Sequence, residues 1–350
     1  MQPFVSVIVP CRNEAVSLER CLGSILGSNY PPDRMEVIVA DGMSEDGSRV
    51  LLERFAASDA RVRVLDNPAR ITPVALNRAI ETSHGELILR IDAHSVVEPD
   101  YISGLVEFLG QNPEAWGAGG RMHTEAEMQG MFSRPIAIVL SHRFGVGNSR
   151  FRTGGDAALP QQVDTVFNCC WRRDVFRRVG LFHEQLVRSQ DIEMSSRIAR
   201  AGGTLWLVPQ AETTYFARTR FAGYLGHNWS NGIWSLVPAI YLGRLPVSWR
   251  HLVPLAFVAS LVLSFGIAAL VPELWWLVLL TALPYGLVSL FASCEAAWQQ
   301  RSLRLALLLP ITFAGLHLAY GTGSLWGAIR VVAHAFRRPL TTLARTPSTT

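Results

Sequence analysis

The sequence predicts an α/β domain with a mostly parallel, Rossmann-like sheet, followed by a C-terminal all-α transmembrane region. Short β-rich runs alternate with stretches of helical periodicity through the first half, several of those runs close at a polar residue, and long apolar stretches begin only after position 252. Alternating strands and helices favour a parallel sheet with right-handed crossovers. Apolar stretches of about 18 residues or more are long enough to cross a bilayer.

The composition agrees with a soluble domain joined to a membrane region. Of 350 residues, 49% are hydrophobic, and the mean hydropathy is positive. The net charge of +4 comes from Arg alone, because no Lys occurs. These arginines are scattered and lack aromatic stacking partners, so nucleic-acid binding is not expected. The 5 cysteines are odd in number and without zinc-type spacing, which favours reduced thiols and a cytosolic catalytic domain. Met1-Gln2-Pro3-Phe4 passes straight into a strand without a basic or apolar leader, so no signal peptide is expected.

The first strand, Val5-Ser6-Val7-Ile8-Val9, closes at Pro10, and Leu18, Cys21, Leu22, Ile25 and Leu26 then share one helical face. The loop Pro10-Cys11-Arg12-Asn13-Glu14 puts polar groups where a nucleotide could rest on a strand end and a helix N-terminus. An N-cap by Asn13 accounts for it as well. A second strand over 35–40 ends at Asp41, whose carboxylate could accept a hydrogen bond from a base N–H. Ser44 and Asp46 suit capping of the next helix. A third strand spans 62–65, and Pro73 stands at the first position of the helix after it.

The fourth strand, Leu87-Ile88-Leu89-Arg90-Ile91, stops at Asp92-Ala93-His94. In open α/β sheets ligands collect beyond the carboxyl ends of strands. An Asp and a His one residue apart can both reach a divalent cation that also grips phosphate oxygens; a surface turn is the plainer account of His94. After a helix over 101–109 comes a Gly- and Arg-rich loop over 145–155, which either closes over a ligand or merely connects. Residues 163–171 read as one further strand. Gln190-Asp191 opens a helix, and an Asp near the positive end of a helix dipole stays ionised and could serve as a base.

Val7-Ile8-Val9-Pro10-Cys11-Arg12-Asn13-Glu14, Ala40-Asp41-Gly42 with Ser44 and Asp46, Asp92-Ala93-His94 and Gln190-Asp191 together resemble the inverting family 2 glycosyltransferases of the GT-A fold, over residues 5–229. The resemblance implies a nucleotide-diphospho-sugar transferase domain. In it Pro10, Arg12 and Glu14 line the nucleoside pocket, Asp41 holds the base, and Asp92 and His94 stand at the DXD pair that coordinates Mg²⁺ or Mn²⁺ on the donor diphosphate. Asp191 matches the base that deprotonates the acceptor hydroxyl. An imidazole in place of the second Asp tilts the preference towards Mn²⁺. Processive members carry a Gln-x-x-Arg-Trp signature where this chain has Tyr215-Phe216-Ala217-Arg218 and then His227-Asn228-Trp229, so single addition is expected. Gln190, Arg218 and Trp229 are the acceptor-side candidates, Trp229 as a sugar platform or as interfacial packing. Packing is the expectation for Trp234 and Tyr241.

The expected organisation is a transferase domain over 1–217, interfacial amphipathic helices over 218–250, membrane helices over 251–322 and a basic tail over 323–350. Three spans are expected, over 252–271, 274–292 and 303–320. Arg244, Arg250, Arg301 and Arg304 place both ends of the first pair in the cytoplasm, whereas Arg330, Arg337 and Arg338 oppose a third crossing unless it turns back around Gly321-Thr322-Gly323. With the resemblance, this predicts an integral membrane hexosyltransferase with a cytoplasmic catalytic domain. It would move a sugar from UDP-glucose or a similar donor to a lipid-linked saccharide, as succinoglycan-type exopolysaccharide glucosyltransferases do in surface-glycan synthesis. A polyprenyl-phosphate sugar synthase is the enzymatic alternative. A non-catalytic module binding nucleotide or glycan is the other, and a full set of metal ligands and base argues against it.

Overall fold

The computed structural model describes residues 2–126, 129–154, 158–217 and 220–337. Contacts divide the chain into two compact units, Met1–Gly223 with Ser289–Phe313, and Tyr224–Val288 with Ala314–Thr350.

The first unit begins with β1 (Val5–Cys11), α1 (Leu18–Leu26), β2 (Met35–Asp41), α2 (Ser48–Ser58), β3 (Val62–Asp66), α3 (Thr72–Thr82) and β4 (Leu87–Arg90). β1 pairs in parallel with β2 and β4, and β2 with β3. Helices cover both faces, so β1 and β2 are buried along almost their whole length. Alternate residues of β1 feed two cores: Val7 and Val9 pack with Leu22, Leu89 and Tyr101, while Ile8 packs with Leu76, Trp171 and Met194.

β5 (Ser95–Val97), α4 (Tyr101–Gln111), β6 (Ala115–Ala126), α5 (Ser133–Val139), α6 (Arg143–Val146) and α7 (Arg150–Thr153) come next. β7 (Gln161–Val163), β8 (Cys170–Arg172), α8 (Arg173–Val179), α9 (Gln190–Arg200) and β9 (Thr204–Ala217) complete the sheet. Among the described residues it has nine strands in the order β3-β2-β1-β4-β8-β6-β9-β5, with β7 also on β9.

The sheet is mixed. The first four strands are parallel as expected, but β8 runs antiparallel to β4 and β6, and β5 and β7 run antiparallel to β9. β8 arrives from an irregular connection rather than a helical crossover, so no crossover forces it parallel. The strand expected over 163–171 is two short strands, separated where Asn168 takes a φ of 46°. Asn is one of the few residues that adopts the left-handed region readily. α1 starts after Ser17, so Asn13 is not its N-cap.

At the amino end of the sheet Glu36 accepts hydrogen bonds from Ser6 Oγ (2.7 Å), the His84 backbone N–H (2.6 Å) and Arg63 Nη1 (2.9 Å). Burial alone would raise its pKa, but the bonds from Ser6, His84 and Arg63 hold it below the usual carboxylate range. A carboxylate depressed in the folded chain contributes stability that is complete above its unfolded pKa and disappears as pH falls through the folded value. Glu36→Gln is therefore expected to flatten the acid side of a plot of melting midpoint against pH, measured on the full chain. Parallel acid limbs for the two proteins would contradict this.

The second unit takes most of α10 (Phe221–Leu236), α11 (Pro238–Leu242), α12 (Val253–Leu270), and parts of α13 (Trp276–Gln299) and α14 (Leu303–Arg337). Three helical stretches, Trp249–Leu270, Pro272–Gln299 and Leu303–Phe336, are long and apolar enough to cross a membrane. α14 is continuous through 321–323, where the sequence alone allowed a reversal, and it stays helical where a tail was expected to begin. The glycines there serve close approach instead: a Cβ on Gly321 would meet the Pro254 carbonyl, and one on Gly323 the Trp229 carbonyl. Small residues allow such helix contacts in apolar surroundings. Tyr285 and His317 share a 2.9 Å hydrogen bond within this unit.

Candidate active site

The carboxyl ends of β1 and β4 open on a cleft of about 170 Å³, whose lining includes Pro10, Arg12, Glu14, Asp92, His94 and Gln190. Six residues singled out in the sequence thus meet in one place. Asn67, Arg70 and Arg90 also line it. A larger cavity of about 380 Å³ lies at the amino end of β4. Two of its three arginines are already engaged: Arg172 donates to the Ala115 carbonyl (2.9 Å) and the Leu109 carbonyl (2.6 Å), and Arg173 to Ser83 Oγ (2.7 Å).

The first two βα loops are stitched together. The Asn13 backbone N–H donates to Ser44 Oγ (2.9 Å), and Asn13 Oδ1 accepts from the Glu45 N–H (2.9 Å). Asn13 adopts a φ of 55° to do so. Glu14 N–H donates to Ser48 Oγ (2.8 Å), while Asp46 accepts from the Ala15 N–H (3.0 Å) and from Ser48 Oγ (2.6 Å). Asp46 is therefore a loop tie, in line with a structural role. Arg12 Nη1 donates to the Arg70 carbonyl (3.3 Å) and closes the rim.

Asp41 is buried at the end of β2. Its carboxylate accepts from Ser44 Oγ at 2.6 Å and lies 3.6 Å from Arg49 Nη1. It is not among the residues that line the cleft. Cys11 does line it, but burial, with help from Asp41, Glu14 and Asp46, pushes its thiol up to about 12. It therefore stays protonated and is a poor nucleophile.

Arg90, the last residue of β4, is the principal group that periodicity did not reveal. Its side chain is only 8% exposed; Nε donates to Asp92 Oδ1 at 2.9 Å, and Nη1 donates to Asp191 Oδ1. Asp191 sits half-exposed in the first turn of α9, so one guanidinium joins acids 99 positions apart in the chain. Burial would raise the pKa of Asp92, but the charge of Arg90 and then of His94 holds it below the usual range. The Asp92 backbone N–H donates to Asn168 Oδ1 (3.1 Å), and Tyr101 OH donates to the Asn168 carbonyl (2.8 Å). The unusual φ of Asn168 thus fixes the turn that carries Asp92.

His94 Nδ1 lies 3.2 Å from Glu14 Oε1, and its ring stands edge-on to Tyr215 with centroids 5.0 Å apart. A carboxylate on Nδ1 is the partner that orients an imidazole for metal binding through Nε2. Among the described residues no three His, Cys, Asp or Glu side chains form a complete ion site. Mg²⁺ and Mn²⁺ on a nucleotide commonly use one or two protein ligands and take the rest from phosphates and water, so Asp92 and His94 fit such an ion. Of the acceptor-side candidates, Gln190 is buried at the start of α9 and lines the cleft. Trp229 belongs to the second unit, where it is partly exposed on α10. Arg218 and the tail residue Arg338 lie outside the described residues.

A curled mixed sheet with a cleft at its parallel carboxyl ends, and acids at the end of one strand and the start of a later helix, is the layout of a GT-A glycosyltransferase domain. The chain belongs to glycosyl transferase family 2, which matches it over residues 6–180. It is 29% identical over 321 residues to the succinoglycan biosynthesis protein ExoA of Rhizobium meliloti (strain 1021), covering 83% of this chain and 92% of that one. It is 23% identical to a dolichyl N-acetyl-alpha-D-glucosaminyl phosphate 3-beta-D-2,3-diacetamido-2,3-dideoxy-beta-D-glucuronosyltransferase of Methanococcus voltae, over 65% of this chain and 72% of the relative. Among solved structures, the mannosyltransferase PcManGT from Pyrobaculum calidifontis, in complex with GDP-Man and Mn²⁺, shares the fold. The TM-score is 0.54 at 21% identity, with 96% of this chain and 87% of that one covered. The chain is a glycosyltransferase related to exopolysaccharide and lipid-linked glycan transferases.

Proposed function

We propose that this enzyme transfers a hexose, with inversion, from UDP-glucose or a similar nucleotide sugar to a hydroxyl of a lipid-linked saccharide at the cytoplasmic membrane face. The observation that carries this reading is the Arg90 bridge, which sets Asp92 beside the cleft and Asp191 next to it. Asp92 and His94 would hold Mn²⁺ or Mg²⁺, which when bound neutralises charge on the departing nucleoside diphosphate. Arg90 engages Asp92 Oδ1, which leaves the second carboxylate oxygen for the cation. Pro10, Arg12 and Glu14 would border the nucleoside, Asp41 would act on the base from the end of β2, and Asp191 would take the proton from the attacking hydroxyl. Gln190, Arg218 and Trp229 would serve the acceptor.

The three long apolar helices support a membrane location, and an anchored enzyme suits an acceptor that cannot leave the bilayer. Arg244 and Arg250 at the start of the first span and Arg301 and Arg304 at the start of the third support a cytoplasmic catalytic face. The named relatives in succinoglycan biosynthesis and dolichyl-linked glycan transfer support a lipid-linked hydroxyl acceptor.

Full-length protein in lipid, given Mn²⁺, a lipid-linked saccharide extract and a panel of nucleotide sugars in turn, is expected to release nucleoside diphosphate with one donor class. Absence of release across the panel would refute the proposal. Activity should be higher with Mn²⁺ than with Mg²⁺ at equal free metal, because imidazole suits Mn²⁺ better, and His94→Ala should abolish the difference along with most turnover. Equal rates with the two ions in the wild type would remove the basis for the Mn²⁺ preference.

A further inference from the structure

Beyond His94 the wall of the first unit carries a second polar feature. The Arg152 guanidinium lies 5.5 Å from the centroid of the Phe151 ring and 5.7 Å from that of Tyr215. Phe167 joins the two rings, stacked on Phe151 at 6.2 Å and edge-on to Tyr215 at 5.8 Å. Arg152 Nη1 is enclosed and has no hydrogen-bond partner among the described residues. Arg121 stands beside the same short helix: its Nη2 donates to the Gly154 carbonyl at 3.1 Å, and its Nε is likewise enclosed without a partner.

Ring faces attract a guanidinium but cannot accept its in-plane N–H bonds. An enclosed donor of a charged group that has no partner is costly. Burial accordingly pushes the Arg152 pKa down. A planar cation with unspent donors is suited to an anion with several oxygens, and phosphate is the commonest of these among glycan intermediates.

Arg152 does not line the donor cleft, and it meets the same Tyr215 ring that His94 faces edge-on. We infer that Arg152, flanked by Phe151 and Tyr215, is the oxyanion-binding residue of a second subsite that takes the phosphate of the lipid-linked acceptor. This rests on the transferase reading above. The rings shield the partly buried cation, so a charge-assisted bond to it gains strength. Arg121 stands close by, with its Nη1 3.9 Å from Glu212 Oε1.

The test uses full-length protein in phosphatidylcholine nanodiscs, titrated with a short-chain polyprenyl phosphate and separately with uridine diphosphate plus Mn²⁺. Arg152→Met keeps an apolar stem against the rings and removes the donors. It is expected to weaken polyprenyl phosphate binding about tenfold or more and to leave the uridine diphosphate titration unchanged. The melting midpoint should hold or rise, because an enclosed donor without a partner has gone. Arg152→Lys should restore part of the affinity. A loss confined to uridine diphosphate would overturn the inference and assign Arg152 to the donor. Unchanged affinity for both probes would overturn the inference, as would an equal loss of both with a lowered midpoint. Wild-type turnover of a nucleotide sugar checks the transferase reading separately: turnover alongside unaffected Arg152→Met binding defeats this inference alone.

Discussion

Asp191→Asn is expected to lower sugar transfer to a hydroxyl acceptor by roughly 10²–10⁴-fold, the range that a positioned general base supplies. Affinity for uridine diphosphate with Mn²⁺ should be unaffected. The expectation follows from position. Asp191 is half-exposed, lies in the first turn of α9, and is held by Arg90 beside the cleft end that carries Asp92 and His94. A carboxylate there can receive a proton, and it is not among the side chains that line the cleft beside Arg12 and Glu14. Asn is nearly isosteric, so a fall in transfer with the nucleotide titration intact isolates proton removal from packing. Substantial remaining transfer would point to the polyprenyl-phosphate sugar synthase, because a phosphate acceptor arrives already deprotonated and needs no base. Measuring transfer of labelled sugar into the lipid phase together with calorimetric nucleotide binding separates these outcomes.

Much of the domain could be foreseen because β1, β2 and β4 are short runs buried on both faces. β1, β2 and β4 are apolar runs ending at Cys11, Asp41 and Arg90, and α1 buries Leu18, Cys21, Leu22 and Ile25 as its periodicity required. The second half was harder. β6 carries three glycines and a polar end, and β9 runs across Pro209 and a register shift in its pairing with β6, so neither has clean alternation. The run expected as one strand breaks at Asn168, whose left-handed φ no propensity demands; it arises because the side chain must reach the Asp92 N–H.

The site shows the same division. Residues that line the cleft from their own strand end, such as Asp92 and His94, could be read from the chain. Partnerships across the fold could not. Glu14 looked like a nucleoside contact, and its carboxylate meets His94, 80 positions away. Arg90 stood in plain view as the one charge inside an apolar strand, a costly place for a cation without a partner. Its partner could not be named, because α9 reaches Arg90 only after β8 has been inserted between β4 and β6.

That arrangement makes Arg90→Met the second large expected effect. The guanidinium is almost wholly buried and Asp92 is 17% exposed, so removal leaves a carboxylate in poor solvent, which for a buried pair costs about 3–5 kcal/mol. Asp191 is more exposed and can regain water, so the lower end of that range is expected, read as a reduced melting midpoint of the full chain. Activity should fall further than stability explains. Arg90 orients both acids at once, and a displacement of about 1 Å at a reacting group can cost about 10²-fold. Arg90→Lys should recover stability better than turnover, because an ammonium lacks the planar fork that reaches two carboxylates in fixed directions. The decisive comparison is the double variant. If Arg90 acts on the rate through Asp191, then Arg90→Met in an Asp191→Asn background should lower kcat little beyond Asp191→Asn alone, as expected for residues that act as a unit. Fully additive losses in kcat would show that Arg90 serves the donor side through Asp92 and only packs against the base.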